Sequence, residues 1–237
     1  MDKIPTGSRI LDKVLDGGYE KDIITTLYGP AGSGKTNLCI LCAINTARMR
    51  KKVIYIDTEN NFSIDRFKQI CSSINQNYAK LLNGLVFLRP ATFDEQKKTF
   101  EKLKEIINNK VGLIIFDSVA MLYRLEMGKT DDVYEVNKDL GKQLAYLKQI
   151  ASKKHIPVLI TNQVYADFED KDKINMVGGD LLRYGSKCLI ELQITPSGNR
   201  LAIVKKHRSI EAEKSITFKI VEGGILGTKE SRGFRLF

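Results

Sequence analysis

Eight residues, Gly29-Pro30-Ala31-Gly32-Ser33-Gly34-Lys35-Thr36, fit the pattern Gly-x-x-x-x-Gly-Lys-[Ser/Thr]. In such a loop, backbone N–H groups curl round phosphates and the positive end of a following helix adds to the attraction. All eight are therefore candidate ATP contacts: Lys35 reaches the β- and γ-phosphates, and the Thr36 hydroxyl holds Mg²⁺. Two acidic strand tips could complete the chemistry. Leu113-Ile-Ile-Phe-Asp117-Ser118 is an apolar run closed by an acid, the place for a second Mg²⁺ contact, made directly or through water. Val53-Ile-Tyr-Ile-Asp57-Thr58-Glu59 carries two acids, and a carboxylate there could polarise the water that attacks the γ-phosphate. Spacing alone leaves both Asp57 and Glu59 as candidates. Cys39-x-x-Cys42 invites a metal or redox reading, but Cys71 and Cys188 are lone residues rather than a second pair. The four cysteines are expected to pack as small hydrophobes.

These residues need elements to place them. Residues 23–28, 53–57, 85–88, 113–117 and 158–162 are short, apolar on both faces and rich in β-branched residues or Leu, as buried strands of a parallel sheet must be. Between them, 36–50, 64–73, 92–109 and 134–153 read as helices; in the third, Phe93, Phe100, Leu103, Ile106 and Ile107 are the apolar positions. Strand–helix alternation predicts an α/β fold with right-handed crossovers. Beyond residue 188 the pattern turns to strands at 188–195, 200–206 and 215–221, with Gly198-Asn199 as a hairpin turn between the first two. Without internal repeats or a Pro/Gly/Ser-rich linker, residues 1–237 are expected to form a single domain.

Composition narrows the class. With 43% hydrophobic and 28% charged residues, the chain is neither disordered, collagenous nor of low complexity. Its apolar runs fall far short of the roughly 20 residues a membrane span needs, and the start lacks a basic-then-apolar leader pattern. A cytoplasmic protein is expected. Lysine and arginine outnumber acids by 38 to 28, a net charge of +10 that draws the chain towards phosphates.

Together the loop at 29–36, Asp57-Thr58-Glu59, Phe116-Asp117-Ser118 and Thr161-Asn162-Gln163-Val164 carry a resemblance over nearly the whole chain, from Pro5-Thr6-Gly7-Ser8 to Glu211-Ala212-Glu213. The chain resembles the RecA-type recombinases, in their archaeal RadA/RadB branch. The resemblance implies a RecA-like P-loop NTPase core: a central, mostly parallel twisted sheet flanked by helices, with antiparallel C-terminal strands. It implies Glu59 as the catalytic glutamate in preference to Asp57, Asp117 as the metal-side acid, and Gln163 as the glutamine that senses the γ-phosphate and relays it to a DNA-binding loop. Arg66 matches an arginine that stacks on adenine. The segment after Asp117, through Tyr123-Arg124 to Asp132, matches a first DNA-binding loop, and 167–179 a second.

Departures from the family pattern shape the functional expectation. The chain opens directly at the ATPase core, so no N-terminal helical DNA-binding domain is expected. None of the ten phenylalanines has Ala three residues later, so filament assembly through a Phe-x-x-Ala motif is not expected. The second loop sets Asp167, Glu169, Asp170 and Asp172 against Lys171 and Lys173, and is no strong phosphate trap. Where the family caps ATP across a subunit boundary with Asp-Pro, this chain reads Lys205-Lys206-His207-Arg208, and ATP turnover is expected to be slow. That basic run, with Arg124, Lys171 and Lys173, makes up the candidate DNA contacts. The expected protein is an ATP-binding, weakly ATP-hydrolysing DNA-binding accessory or mediator of a full-length RadA-type recombinase in homologous recombination and repair. It would be nucleoid-associated, a monomer or small homo-oligomer, with single-stranded or branched DNA and a Holliday-junction resolvase as further partners. The alternatives are a DNA-stimulated recombinase ATPase acting directly in strand exchange, or a RecA-fold signalling ATPase.

Overall fold

Strands that are apolar on both faces must be covered on both sides, and the chain does this with two layers of helices. A computed structural model describes residues 2–129, 132–166 and 174–228, with the backbone alone at 166 and 174. The chain begins with Lys3–Ile4 (β1), Arg9–Val14 (α1) and Tyr19–Glu20 (β2), β1 and β2 forming a small antiparallel ladder. Ile24–Tyr28 (β3), Lys35–Arg48 (α2), Lys52–Asp57 (β4), Ile64–Ser73 (α3), Tyr78–Leu82 (α4), Leu85–Leu88 (β5), Phe93–Ile106 (α5) and Val111–Asp117 (β6) follow. Then come Met121–Met127 (α6), Val133–Lys154 (α7), Val158–Asn162 (β7), Val164–Ala166 (β8), Ile174–Met176 (β9) and Gly179–Gly185 (α8). Cys188–Ile194 (β10), Arg200–Lys206 (β11), Ser215–Val221 (β12) and Gly224–Gly227 (β13) complete the described chain.

Nine of these strands form one sheet in the order β13-β12-β11-β10-β3-β7-β6-β4-β5. The ladders from β10 to β5 are all parallel, whereas β10 to β13 run antiparallel. This is the RecA-like architecture expected from the sequence, and Gly198 and Asn199 do lie in the turn between β10 and β11.

Strand alternation explains the two layers. Val53, Tyr55, Leu113, Ile115 and Leu159 face a core closed by α1 to α4. Their neighbours Ile54, Ile56, Ile114, Phe116, Val158 and Ile160 face a second core closed by α5 to α8. Parallel register aligns Ile54, Ile114, Val158 and Ile24 across four strands, so each layer is continuous. All four cysteines are free and buried, those at 39 and 42 in the middle of α2, as small hydrophobes should be. Helix starts are set by side chains: the hydroxyls of Ser63 and Thr92 accept from the N–H groups of Arg66 and Glu95, and the Asp132 carboxylate accepts from Glu135.

Some boundaries shift. α5 ends at Ile106, short of the expected 109, because Asn108 turns the chain by accepting from the Lys110 N–H. The stretch expected to be a loop after Asp117 contains a two-turn helix, α6, which buries Leu122 and Tyr123 in the second core. Among the described residues no helix is long and apolar enough to cross a membrane.

Candidate functional site

Loops leaving the C-terminal ends of β3, β4, β6 and β7 open onto one crevice, where ligands collect in sheets of this kind. A cleft of about 410 Å³ there is lined by Gly32, Gly34, Lys35, Thr36, Asn37, Glu59, Asn61, Asp117, Gln163 and Ile220. Four candidates from four separated segments, Lys35, Glu59, Asp117 and Gln163, thus share one wall.

Each is held by its own neighbours. Lys35 Nζ donates to the carbonyls of Gly29 and Pro30, both at 2.8 Å. Burial pushes its ammonium below the usual lysine range, against the opposing pull of the Asp117 and Glu59 charges. Asp117 is buried at the end of β6 and accepts from the Tyr55 hydroxyl at 2.8 Å and the Thr161 hydroxyl at 2.6 Å. Gln163 Nε2 donates to both Glu59 oxygens at 2.9 and 3.0 Å, and Asn61 Nδ2 donates to the second at 2.8 Å. Asp57, the competing acid, is buried and ties its own turn, accepting from the N–H groups of Asn61 and Phe62 at 3.1 and 3.2 Å. The structure therefore puts Glu59 and not Asp57 on the cleft.

The loop at 29–36 has the features a phosphate needs. α2 starts at Lys35 behind Gly34, which is in the left-handed region (φ 102) and has no side chain to cap the first-turn N–H groups. Gly29 passes so close to β10 that a Cβ would lie 2.1 Å from the Leu192 carbonyl oxygen, and its own φ is 155. Ser33 Oγ is buried without a partner beneath the loop. Among the described residues, no group of three or more His, Cys, Asp or Glu could hold a metal by itself. That suits Mg²⁺, which takes one or two protein oxygens and the rest from phosphates and water. Thr36 and Asp117 are the two that would hold it.

Arg66 is fixed through its nitrogens. Its Nε donates to Asn37 Oδ1 at 2.8 Å, and its terminal nitrogens donate to the carbonyls of Val221 (2.6 Å), Gly224 (3.1 Å) and Glu222 (3.2 Å) and to Gln69. The guanidinium edge ties α3 to the β12–β13 turn, and Arg66 is not in the cleft wall; stacking on adenine would use the flat face, which these in-plane bonds do not occupy. Asn37 and Ile220, which sequence reasoning missed, do line the cleft.

At 205–208 the cations have partners within the chain. Lys205 pairs with Glu213 at 2.7 Å, and Lys206 donates to the carbonyls of Arg183 and Ser186 at 2.7 and 2.9 Å. Arg208 pairs with the buried Glu20, and the His207 ring, 2% exposed, faces the same carboxylate at 3.5 Å. The buried His207 ring has little surface to offer DNA, which corrects that one residue, whereas Lys205 and Arg208 stay exposed beside their acids. Arg124 is exposed on α6; Lys171 and Lys173 lie outside the described residues.

His207 yields a pH prediction. Its Nδ1 accepts from the N–H groups of Ser209 and Ile210, both at 3.1 Å, so a proton there would meet two donors. Burial holds the ring's pKa below its ordinary 6.5. The unfolded chain binds a proton that the folded form refuses, so this contribution to stability is complete above pH 6.5 and is lost as pH falls below it. Urea midpoints measured against pH are expected to fall more steeply below that value for the wild type than for His207→Gln. Parallel curves would refute it.

Known proteins share this sequence and fold over most of the chain. The Rad51 family model matches residues 1–228. A "DNA repair and recombination protein RadB" of Methanobrevibacter smithii is 42% identical over 230 residues, covering 94% of this chain and 95% of that protein. One of the same name from Methanococcoides burtonii is 38% identical, covering 91% and 93%. Among solved structures, "Crystal structure of the RadB recombinase" superposes with a TM-score of 0.80 at 31% identity, covering 94% of this chain and 98% of that one.

Proposed function

The chain belongs to the Rad51 family, and from that premise we propose that it binds Mg-ATP, hydrolyses it slowly, and serves homologous recombination and DNA repair as an accessory to a full-length RadA-type recombinase. The observation that carries this reading is the single cleft bringing Lys35, Thr36, Glu59, Asp117 and Gln163 together at the sheet's C-terminal edge. Lys35 and the loop amides bind the triphosphate. Thr36 and Asp117 would hold Mg²⁺, which supplies charge neutralisation at the β- and γ-phosphates. Glu59 orients and deprotonates the attacking water.

Slow turnover has a physical reason. Both oxygens of Glu59 already accept hydrogen bonds from amides, one from Gln163 alone and the other from Gln163 and Asn61. These three donors fill most of the roughly four acceptor positions a carboxylate has and fix its orientation, leaving an attacking water a single open position on Oε1. Gln163 stands between Asn162, the end of β7, and Val164, the start of β8, so a ligand that moves the β8–β9 ribbon moves this amide. Single-stranded DNA is the proposed ligand of that ribbon.

Turnover measured with and without single-stranded DNA, at several salt concentrations, tests this. The accessory reading expects Mg-ATP binding with slow but measurable turnover that single-stranded DNA leaves within about threefold. Stimulation of about tenfold or more, an effect worth about 1.4 kcal/mol in barrier height, would favour a recombinase acting directly in strand exchange. The short path from Gln163 to the ribbon supports that second reading. The Gln163→Ala variant separates them further: a direct recombinase loses its DNA response, whereas an accessory gains basal turnover as Glu59 is freed. Failure to bind ATP at all would sink both.

A further inference from the structure

At the opposite edge of the sheet, where parallel strands begin, the C-terminal turn of α2, the entry to β4 and α4 enclose a cleft of about 460 Å³. Five cations line it, Arg48, Arg50, Lys51, Lys52 and Lys80, and no carboxylate does. All five are exposed, and among the described residues none lies within ion-pair distance of an acid. A sixth, Lys110, adjoins them, since the Lys52 N–H donates to its carbonyl at 2.8 Å.

A helix C-terminus favours one or two cations for its own dipole, which accounts for Arg48. It does not account for Lys52 in a strand or Lys80 on another helix. At 205–208, by contrast, two of the cations are paired with acids. Here the charge is left facing a concave surface, and concentrated unpaired cations attract phosphates.

We propose that this cleft is a docking surface for the phosphate backbone of duplex DNA, separate from the nucleotide site and from the β8–β9 ribbon. The choice of nucleic acid over an acidic protein rests on the recombination reading above. Duplex is favoured over single strands because no aromatic side chain lines the cleft, so unpaired bases have nothing to stack on. β4 enters the sheet at Lys52 on this edge and leaves it at Asp57 on the other, so the six residues of one strand separate this cleft from the nucleotide. About 20 Å of strand lies between them, and a duplex here competes with neither ATP nor DNA at the opposite edge.

The test is binding of a short fluorescein-labelled duplex, without nucleotide, across a salt series. The triple charge reversal Arg50→Glu/Lys51→Glu/Lys80→Glu is compared with wild type. Expected is a loss of affinity of about tenfold or more, with the slope of log K against log salt reduced by about 0.9 for each phosphate no longer neutralised. The milder triple Gln variant should fall between the two, and an unchanged nucleotide-free melting temperature in both shows an intact fold. Duplex affinity and slope equal to wild type would overturn the proposal, as would a loss confined to single strands. So would displacement of polyglutamate from a cleft whose duplex binding is untouched, since that assigns the face to an acidic protein. Because no nucleotide is present, a negative result here leaves the ATP-linked reading standing, and a failure of that reading leaves this one.

Discussion

Glu59→Gln is expected to lower ATP turnover by about two to four orders of magnitude, the range that removal of a positioned general base produces, while ATP binding survives. The substitution keeps length and shape, and the new side chain still offers an oxygen to Gln163 Nε2, now 2.9 Å from Glu59 Oε1. What disappears is a group able to take a proton from water. Single-turnover hydrolysis under saturating Mg-ATP, paired with a thermal-shift measurement of binding, separates the two. If the slow basal rate of the wild type already equals that of the variant, the comparison moves to DNA-stimulated conditions. Equal rates there would remove Glu59 from the mechanism. Asp57→Asn gives the contrast, since its carboxylate holds backbone N–H groups of the following turn, and its cost falls on stability.

Lys35→Ala is expected to abolish ATP-dependent stabilisation. A ligand at a hundred times its Kd stabilises the folded state by about 2.7 kcal/mol. For a chain of this size each kcal/mol shifts Tm by about 2–4 °C, so wild type with Mg-ATP should melt roughly 5–10 °C higher than without. The variant should show no shift. Its own stability should fall by only about 1–3 kcal/mol, the range for charged hydrogen bonds such as those to Gly29 and Pro30. A variant that keeps the full shift would show that the amides of the loop bind the triphosphate unaided.

Much of this architecture is readable in the sequence because burial on both faces leaves a plain mark. The strand at 158–162, the helix at 64–73 and the hairpin strand at 200–206 have the bounds the residue pattern predicts. The phosphate loop is legible because its chemistry is local: glycines, a lysine and a hydroxyl within eight positions. What escaped was non-local. Arg66 looks like an exposed helix charge until the carbonyls of residues 221–224, some 155 positions away, close round it. The burial of His207 escaped because Glu20, the acid it faces beside Arg208, lies far back in the chain. Asp57 and Glu59 are two residues apart and differ only in which way the turn aims them, something spacing does not encode. α6 was hidden for another reason, since resemblance marked Met121–Met127 as loop while Leu122 and Tyr123 carried a core-facing pattern.

The placement of β3 has a consequence for how the protein folds and survives. Its neighbours in the sheet, β7 and β10, come from far down the chain; the Thr26 hydroxyl meets Ser186 across 160 residues and the Tyr28 hydroxyl meets Glu191 across 163. Gly29, the first residue of the phosphate loop, hangs from the Asn162 carbonyl and passes against Leu192. Closing loops of that length costs entropy before any contact repays it, and chains of such topology fold slowly. No partly folded intermediate lacking β7 or β10 can present a finished phosphate loop. On the proposed function, ATP would thus be a ligand of the completed molecule alone: it would slow global opening and degradation by proteases without rescuing fragments, and a stalled nascent chain short of residue 192 would bind none.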